Sequence, residues 1–226
     1  EGRERVLPSF PEALSARALR DLRAMGVEVA LGAFVTAIDE RGVTARVGDE
    51  ERRIDASVIL WAAGVKASGV GAMLGAEVDG AGRVRVGRDL SISGHPEVFV
   101  AGDLAATEED APGIAPAAMQ MGRFVGRVVR AEAGAVLHNA ARPERPAFRY
   151  RDKGMLATIG RSRAVAAIGG RQFAGFAAWM LWLVVHIYFL IGFRNRALVL
   201  FQWAWAWLTF QRGARLITPE RRPSAP

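Results

Sequence analysis

Cysteine is absent from this 226-residue chain, which excludes disulfides, thiolate metal sites and cysteine redox relays. Histidine is nearly as scarce. Its three residues, His95, His138 and His186, are scattered and provide no metal-ligand spacing, so no metal site is expected. No Gly-x-Gly-x-x-Gly occurs, no signal peptide is recognisable, and the first residue is Glu1. Acidic residues all but vanish towards the end: from Arg171 onward there are seven arginines and one acid, Glu220, giving that stretch +6 of the chain's +7. Five of the six tryptophans lie there too. Arginines flanking Trp- and Phe-rich apolar segments point to an anionic phospholipid surface and away from nucleic acid.

Among the residues present, the organising stretch is Val98-Phe99-Val100-Ala101-Gly102-Asp103-Leu104-Ala105. Apolar residues between Pro96 and Gly102 predict a short buried strand. It stops at a glycine, where a backbone without Cβ lets a ligand come close. Asp103 follows at the carboxyl end of the strand, where open α/β sheets bind ligands. From about Ile114 to Glu132 the spacing predicts a helix with Met121, Phe124, Val125 and Val128 on one face. A helix N-terminus favours anionic groups, so strand, Gly-Asp and helix together read either as a cofactor clasp or as an ordinary turn.

Upstream, Ser9-Phe10-Pro11-Glu12 has the pattern of a capping box, and Leu14, Ala18, Leu22 and Met25 recur at helical spacing until Gly26. Val27 to Leu31 reads as a strand. Phe34 to Asp39, Val43 to Val47 and Arg53 to Ile54 read as an antiparallel meander. Val58-Ile59-Leu60-Trp61 predicts an apolar strand followed by Ala62-Ala63-Gly64, which suits close passage beside a cofactor or tight packing at a strand end. Residues 68–93 are Gly-rich with one short strand at Val84 to Val86, and His95 falls in a surface loop. Thr107 to Ala111 is an acidic loop, and Ala133 to Pro146 a polar linker. Phe148 to Tyr150, Met155 to Ile159 and Ala164 to Ile168 predict three short strands, with Asp152-Lys153-Gly154 as a turn.

Phe173 to Gly192 carries no charge, and by length alone would span a bilayer. Arg194-Asn195-Arg196 interrupts it. Ala197 to Gln211 then adds a segment that as a helix rises only about 22 Å, short of a hydrocarbon core of roughly 30 Å. Asn195, Gln202 and Thr209 form a thin polar stripe on it, and Trp203, Trp205 and Trp207 suit the headgroup level. An anchor lying in the membrane plane fits better than a two-span hairpin.

In this order, Leu60 to Val65, Pro112 to Gln120, Tyr150 to Gly160 and Leu190 to Arg196 closely resemble the C-terminal part of type II NADH dehydrogenases, the single-chain, non-proton-pumping NADH:quinone oxidoreductases. The resemblance runs from Glu1 to about Thr218. It implies an α/β flavoprotein of the two-dinucleotide-binding, glutathione-reductase-like class, in which NADH reduces FAD and the flavin reduces a membrane quinone in a respiratory chain. It further implies a monotopic enzyme on the cytoplasmic face of a bacterial inner membrane, compatible with a homodimer. Such an enzyme shows the Gly-rich fingerprint twice, so the sequence is expected to be a C-terminal portion, inactive alone, that begins within the nicotinamide-binding domain.

On this resemblance residues 1–57 end the NADH domain and return the chain to the FAD domain. Residues 58–132 complete the FAD domain, 133–172 form a linker and small β region on the flavin and quinone side, 173–218 anchor the protein, and 219–226 are disordered. The resemblance puts Asp103 on the flavin ribityl chain, with Gly102 allowing close approach and Ala63 and Gly64 in a cofactor-adjacent loop. It puts the backbone of Ala118 and Met119 at the isoalloxazine edge, with Gln120 and Lys153 at the contact between flavin and quinone. An ammonium there stabilises negative charge on a reduced ring. Taken without the family, Gln120 reads as a solvent-facing helix residue and Lys153 as a solvated hairpin tip. Pro116 stands where many members have another glutamine, which removes part of the expected quinone contact. Sulfide:quinone oxidoreductases share this fold, but their chemistry uses redox cysteines. A non-catalytic membrane-binding module that keeps the fold is the rival from another class.

Overall fold

The computed structural model describes residues 1–210. The expected end of the anchoring region, 211–218, and the expected disordered tail, 219–226, lie outside the described residues. In chain order the elements are α1 (Glu12–Ala24), β1 (Ala33–Asp39), β2 (Gly42–Val47), β3 (Glu50–Asp55), α2 (Val70–Met73), β4 (Val84–Arg85), β5 (Ser91–Ile92) and β6 (His95–Phe99). A 3₁₀ turn (Gly102–Leu104), β7 (Ala105–Ala106), α3 (Ala115–Leu137), β8 (Met155–Gly160), β9 (Arg163–Ile168), β10 (Arg171–Gly175), α4 (Phe176–Phe189) and α5 (Phe193–Leu208) follow.

The chain divides into two compact units. One gathers Glu1–Phe34, Arg46–Glu50 and the chain from Gly154 onward, and the other gathers Val35–Ala45 and Glu51–Lys153. The helix α1, read above with the meander, thus shares a unit with the C-terminal sheet.

That unit is built around β9, the central strand of an antiparallel sheet ordered β10-β9-β8. Successive side chains of a strand point to opposite faces. Val165 faces one side, where Phe10, Leu14 and Ala18 of the N-terminal segment bury against it. Ala164 and Ala166 face the other side, where they bury against Ala178 of α4 with Trp179 and Leu181 alongside. Three alanines at this contact let α4 lie close on the sheet. Burying each large side chain of such a cluster is worth about 1.5–3 kcal/mol.

Several local expectations change in this unit. The helix α1 starts from Pro11 without a side-chain cap, because the amides of Leu14 and Ser15 both donate to the Pro11 carbonyl at 2.9 and 3.1 Å. Ser9 therefore does not form the expected capping box. Residues 27–31 make no strand: the N-terminal segment beside them supplies one bond, from the Glu1 amine to the Ala30 carbonyl at 3.2 Å, and its other bonds here are with Gly32 and Ala33. The apolar run from Phe173 does not form one helix. It begins as β10, paired with β9 through Phe173↔Ala166, and turns at Gly175, whose φ of +71° favours glycine.

After that turn α4 has only 14 residues, a rise of about 21 Å. Gly192, at φ +81°, breaks the chain again, and α5 begins at Phe193. Arg194 to Arg196 therefore lie within the first turn of α5 rather than separating two segments. Among the described residues, no helix is long and apolar enough to cross a membrane.

The second unit has its core beneath α3. Val84, Leu90, Val100, Ala105, Met121, Phe124 and Val128 bury together there. The strands β4 and β7 pair in parallel, and β5 pairs antiparallel with β6. The expected buried strand before Asp103 appears only in part: β6 starts at His95, which was expected in a loop, ends at Phe99, is exposed over its first three residues, and pairs with the antiparallel β5. The helix α3 runs to Leu137, five residues beyond the expected end at Glu132, so the first part of the expected polar linker is helical.

Residues 58–61 form no strand, contrary to expectation. An isolated apolar run makes a strand only where a neighbour accepts its ladder, and none does among the described residues. Val58, Leu60 and Trp61 are left exposed. Residues 148–150 likewise join no sheet. The meander does form, in the order β1-β2-β3. Asp39 at its first turn accepts from the amides of Arg41 and Gly42 and from the Arg53 guanidinium at 2.6 and 2.8 Å. The Arg53 hydrogen bonds hold the Asp39 carboxyl down at about 2.

Candidate functional site

The second unit brings Gly102, Asp103 and Ala118 together at the 3₁₀ turn. Gly102 has φ +78°, a conformation that favours glycine. A Cβ at that position would stand 3.4 Å from the Ala118 Cβ. The Gly102 amide points at the Met121 sulfur, 3.1 Å away, so the turn is pinned to the buried face of α3. Two small residues at the crossing of turn and helix explain why the backbone can pass so near.

Asp103 follows on the exposed side of the turn. Its carboxylate makes no hydrogen bond or ion pair among the described residues and lies over Gly113, where a Cβ would stand 3.7 Å from Oδ1. Gly113 precedes Ile114, the N-cap of α3. An open carboxylate thus sits between a glycine turn and the start of a 23-residue helix, with no side chain on Gly102 or Gly113 to screen it.

The helix start has less free donor capacity than its sequence implied. Pro116 occupies the first turn and has no N–H. The amides of Ala117 and Ala118 donate to the Ile114 carbonyl at 3.0 and 3.1 Å. Ala118 is half-buried beside Gly102, whereas Met119 is 39 % exposed on the rim.

Gln120 is neither a free surface residue nor an open ligand. Its Nε2 donates to the Arg151 carbonyl at 3.0 Å, and its Oε1 accepts from the Arg151 amide at 3.0 Å. One side-chain amide therefore replaces a strand partner for Arg151. Two further ties hold the same segment: the Phe148 amide donates to the Arg88 carbonyl at 2.7 Å, and the Phe148 ring meets Phe124 edge-on at 5.5 Å. Lys153 is exposed two residues beyond Arg151, on extended chain rather than at a hairpin tip. Sequence spacing offered no signal for this clamp, because a Gln on a helix can reach any backbone that tertiary folding brings past it.

Two further features were not legible beforehand. Arg145 holds Glu132 at 2.5 and 3.0 Å and Asp89 at 2.8 Å, with its guanidinium 4.8 Å over the Phe99 ring. Burial pushes the Asp89 carboxyl up, but the Arg145 and Ser91 hydrogen bonds outweigh it and leave the group below its ordinary value. The Arg145 hydrogen bond likewise lowers Glu132. The other feature is Tyr150, whose hydroxyl is buried without a hydrogen-bond partner. Burial first, and Asp152 second, raises its phenol above the ordinary value.

The loop carrying Ala63 and Gly64 is exposed, and a Cβ at Gly64 would meet nothing within 4 Å. No contact joins these two residues to the turn at Asp103 among the described residues. No group of three His, Cys, Asp or Glu side chains able to hold a metal is present among the described residues.

Comparison with known proteins gives these features a family. The pyridine nucleotide-disulphide oxidoreductase profile matches residues 1–122, and the NDH2 C-terminal domain profile matches residues 153–212. The chain is 43% identical over 221 residues to the type II NADH:quinone oxidoreductase Ndh of Mycobacterium tuberculosis, covering 96% of this chain and 47% of that one. The chain thus spans about half the length of the curated relatives it matches.

Among solved structures it resembles NDH2 from Plasmodium falciparum in complex with NADH, with a TM-score of 0.79 at 16% identity over 96% of this chain and 58% of that one. It also resembles the sulfide:quinone oxidoreductase of Aquifex aeolicus, with a TM-score of 0.62 at 15% identity over 86% of this chain and 49% of that one. Those two likenesses speak to fold alone. The chain belongs to the pyridine nucleotide-disulphide oxidoreductase family and, within it, is a relative of the type II NADH:quinone oxidoreductases.

Proposed function

We propose that this chain is the C-terminal half of a membrane-associated flavoprotein that oxidises NADH and reduces a quinone without pumping protons, as part of a respiratory chain. The observation that carries the proposal is the unpartnered Asp103 carboxylate between Gly102 and Gly113 at the start of α3. The donor set suits FAD: a carboxylate able to accept hydroxyl hydrogen bonds from a ribityl chain, beside backbone cleared of side chains. A bound FAD, held at Asp103 and Gly102, would supply the hydride-accepting and two-electron-donating chemistry by which NADH, a proton and quinone would become NAD⁺ and quinol.

The chain's own residues position and polarise. Gly102 and the small Ala118 let the ligand approach the turn, and Met119 borders it. Ala63 and Gly64, on an exposed loop without a tie to the Asp103 turn, would border the cofactor only from outside that turn. Gln120 fixes the backbone of Arg151 and so sets where Lys153 presents its ammonium, a positive charge that favours electrons arriving nearby. The Trp-rich helices α4 and α5, with Arg194 and Arg196 in the first turn of α5, suit an anionic membrane surface from which a lipid-soluble quinone comes, on the cytoplasmic side of a bacterial inner membrane. The sulfide:quinone reading is disfavoured by the lack of any cysteine in this chain. A non-catalytic membrane module is separated by one measurement, the visible flavin spectrum of the intact protein.

Asp103→Ala in the intact protein tests the site itself. Loss of a charge-assisted hydrogen bond is worth about 1.5–3 kcal/mol, so FAD affinity should fall by one to two orders of magnitude. Unchanged FAD affinity in a folded Asp103→Ala protein refutes the assignment.

A further inference from the structure

The helices α4 and α5 enclose a groove of about 540 Å³, within the range of small-ligand sites. Its walls are apolar and largely aromatic: Trp179, Trp182 and Leu183 from α4, with Leu200, Trp203 and Trp207 from α5. The indoles are set against one another. Trp182 stacks on Trp203 at 5.4 Å and 11°, and Trp179 lies 6.3 Å from Trp207. Trp207 also donates from Nε1 to the Ser162 hydroxyl at 2.8 Å, which fixes its ring to the turn between β8 and β9.

One charged side chain lines the groove. The Arg161 guanidinium lies 3.8 Å from the Phe210 ring centroid and 5.4 Å from that of Trp207. Arg161 makes no ion pair among the described residues. A guanidinium stacked by its face keeps its N–H edge for an anion, and its delocalised charge survives partial desolvation better than an ammonium does. Along the chain from Gly154 to Phe210 there are five arginines and no Asp or Glu, and the Asp21 carboxylate of α1 lies 3.8 Å from Arg163 rather than pairing with Arg161. A purely hydrocarbon ligand would make no use of that arginine, and a small free anion no use of the groove.

We infer that this groove binds a single anionic phospholipid, one acyl chain lying between α4 and α5 and the phosphate at Arg161. This goes beyond the proposed function and leans on it only in supposing that the protein meets lipid. A lipid held in this way is a ligand with its own stoichiometry, separate from the bulk surface that α4 and α5 touch.

The test uses the intact protein in a constant detergent background and phosphatidylglycerol brominated on its acyl chains, which quenches nearby tryptophan. Five of the chain's six tryptophans lie in α4 and α5, so the signal reports on this region. Quenching should saturate at one lipid per chain, and brominated phosphatidylcholine should need about tenfold more lipid for the same effect, because its choline cation competes with Arg161 for the phosphate and cancels the lipid's net charge. Arg161→Gln should abolish that preference, and Arg161→Lys should keep part of it. Ala204→Phe, which fills the groove from α5, should weaken quenching by both lipids while leaving the far-ultraviolet dichroism unchanged.

Equal quenching by the two lipids overturns the inference, as does a phosphatidylglycerol preference that survives in Arg161→Gln. Displacement of the lipid by a neutral quinone would reassign the groove and equally overturn it. Flotation with vesicles of either lipid tests membrane attachment separately. Flotation without saturable quenching defeats the groove and leaves the membrane reading standing. Saturable quenching without flotation does the reverse.

Discussion

Replacing Arg145 by Met should loosen α3 in a way that pH reverses. In the wild-type protein one guanidinium joins Glu132 on α3 to Asp89 just before β5, and the three side chains are 13, 14 and 18 % exposed. Removing the cation leaves two carboxylates facing each other with little water. Breaking a fully buried pair costs about 3–5 kcal/mol. Here the pairs keep some solvent, and Arg142 lies 3.9 Å from Glu132, so about 2 kcal/mol is the expected loss at pH 7.

Native-state hydrogen exchange of the α3 amides in the intact protein reads this directly, since about 2 kcal/mol is roughly a 30-fold loss of protection. In the wild type both carboxyls are lowered on folding, so the stability they confer is complete above the ordinary carboxylate range and is lost as pH falls through their lowered values. In Arg145→Met the two acids keep only the more distant Arg142, on the Glu132 side, and repel each other, so protonating either one relieves the strain. The gap between the proteins should therefore shrink from pH 7 to pH 5. A loss below about 0.5 kcal/mol, or a gap that widens on acidification, would refute the argument.

Other expectations follow from the same coordinates. Gly154→Ala should destabilise the sheet of β8–β10 by at least about 2 kcal/mol, because φ is +95° there and a Cβ would run into the Ala167 carbonyl; an unchanged melting temperature contradicts this. Tyr150→Phe removes a buried hydroxyl that has no partner, so stability should hold or rise by about 1 kcal/mol, and clear destabilisation in thermal melts would show that the hydroxyl is satisfied after all. Truncation after Gly170 removes β10 and α4 and should yield insoluble protein, whereas truncation after Gly192 keeps both and should remain folded; sedimentation and dichroism separate the two outcomes.

Elements whose apolar spacing is satisfied locally were legible in the sequence. The helix α3 shows its buried face as Met121, Phe124 and Val128, whereas β6 meets the apolar run before Gly102 only at Val98 and Phe99. Elements that need a distant neighbour were not. Val58 to Trp61 has the composition of a buried strand but no ladder partner among the described residues, and Phe173 reads as helical until β9 is seen to pair with it. At the site, Gly102 and Asp103 follow from a strand end meeting a helix start. The hold of Gln120 on Arg151 spans 31 residues of sequence and leaves no periodic trace. Arg145 sits in a stretch with no pattern, and its two carboxylates come from a helix and a turn that only folding brings together.

The packing of α1 on β9 also sets a timetable. Leu14 and Val165, which bury against each other's cluster, are separated by 151 residues. A ribosome adding roughly 5–20 residues each second makes Val165 about 8–30 s after Leu14. During that interval the first helix has left the ribosome while the strand that will cover it does not yet exist. Phe10 and Leu14 are then open to whatever else is near, so this unit is completed only after β9 has been made. Slowed translation anywhere between residues 24 and 163 lengthens the exposure, which makes yield in the cell sensitive to codon choice and chaperone supply at positions far from any binding site.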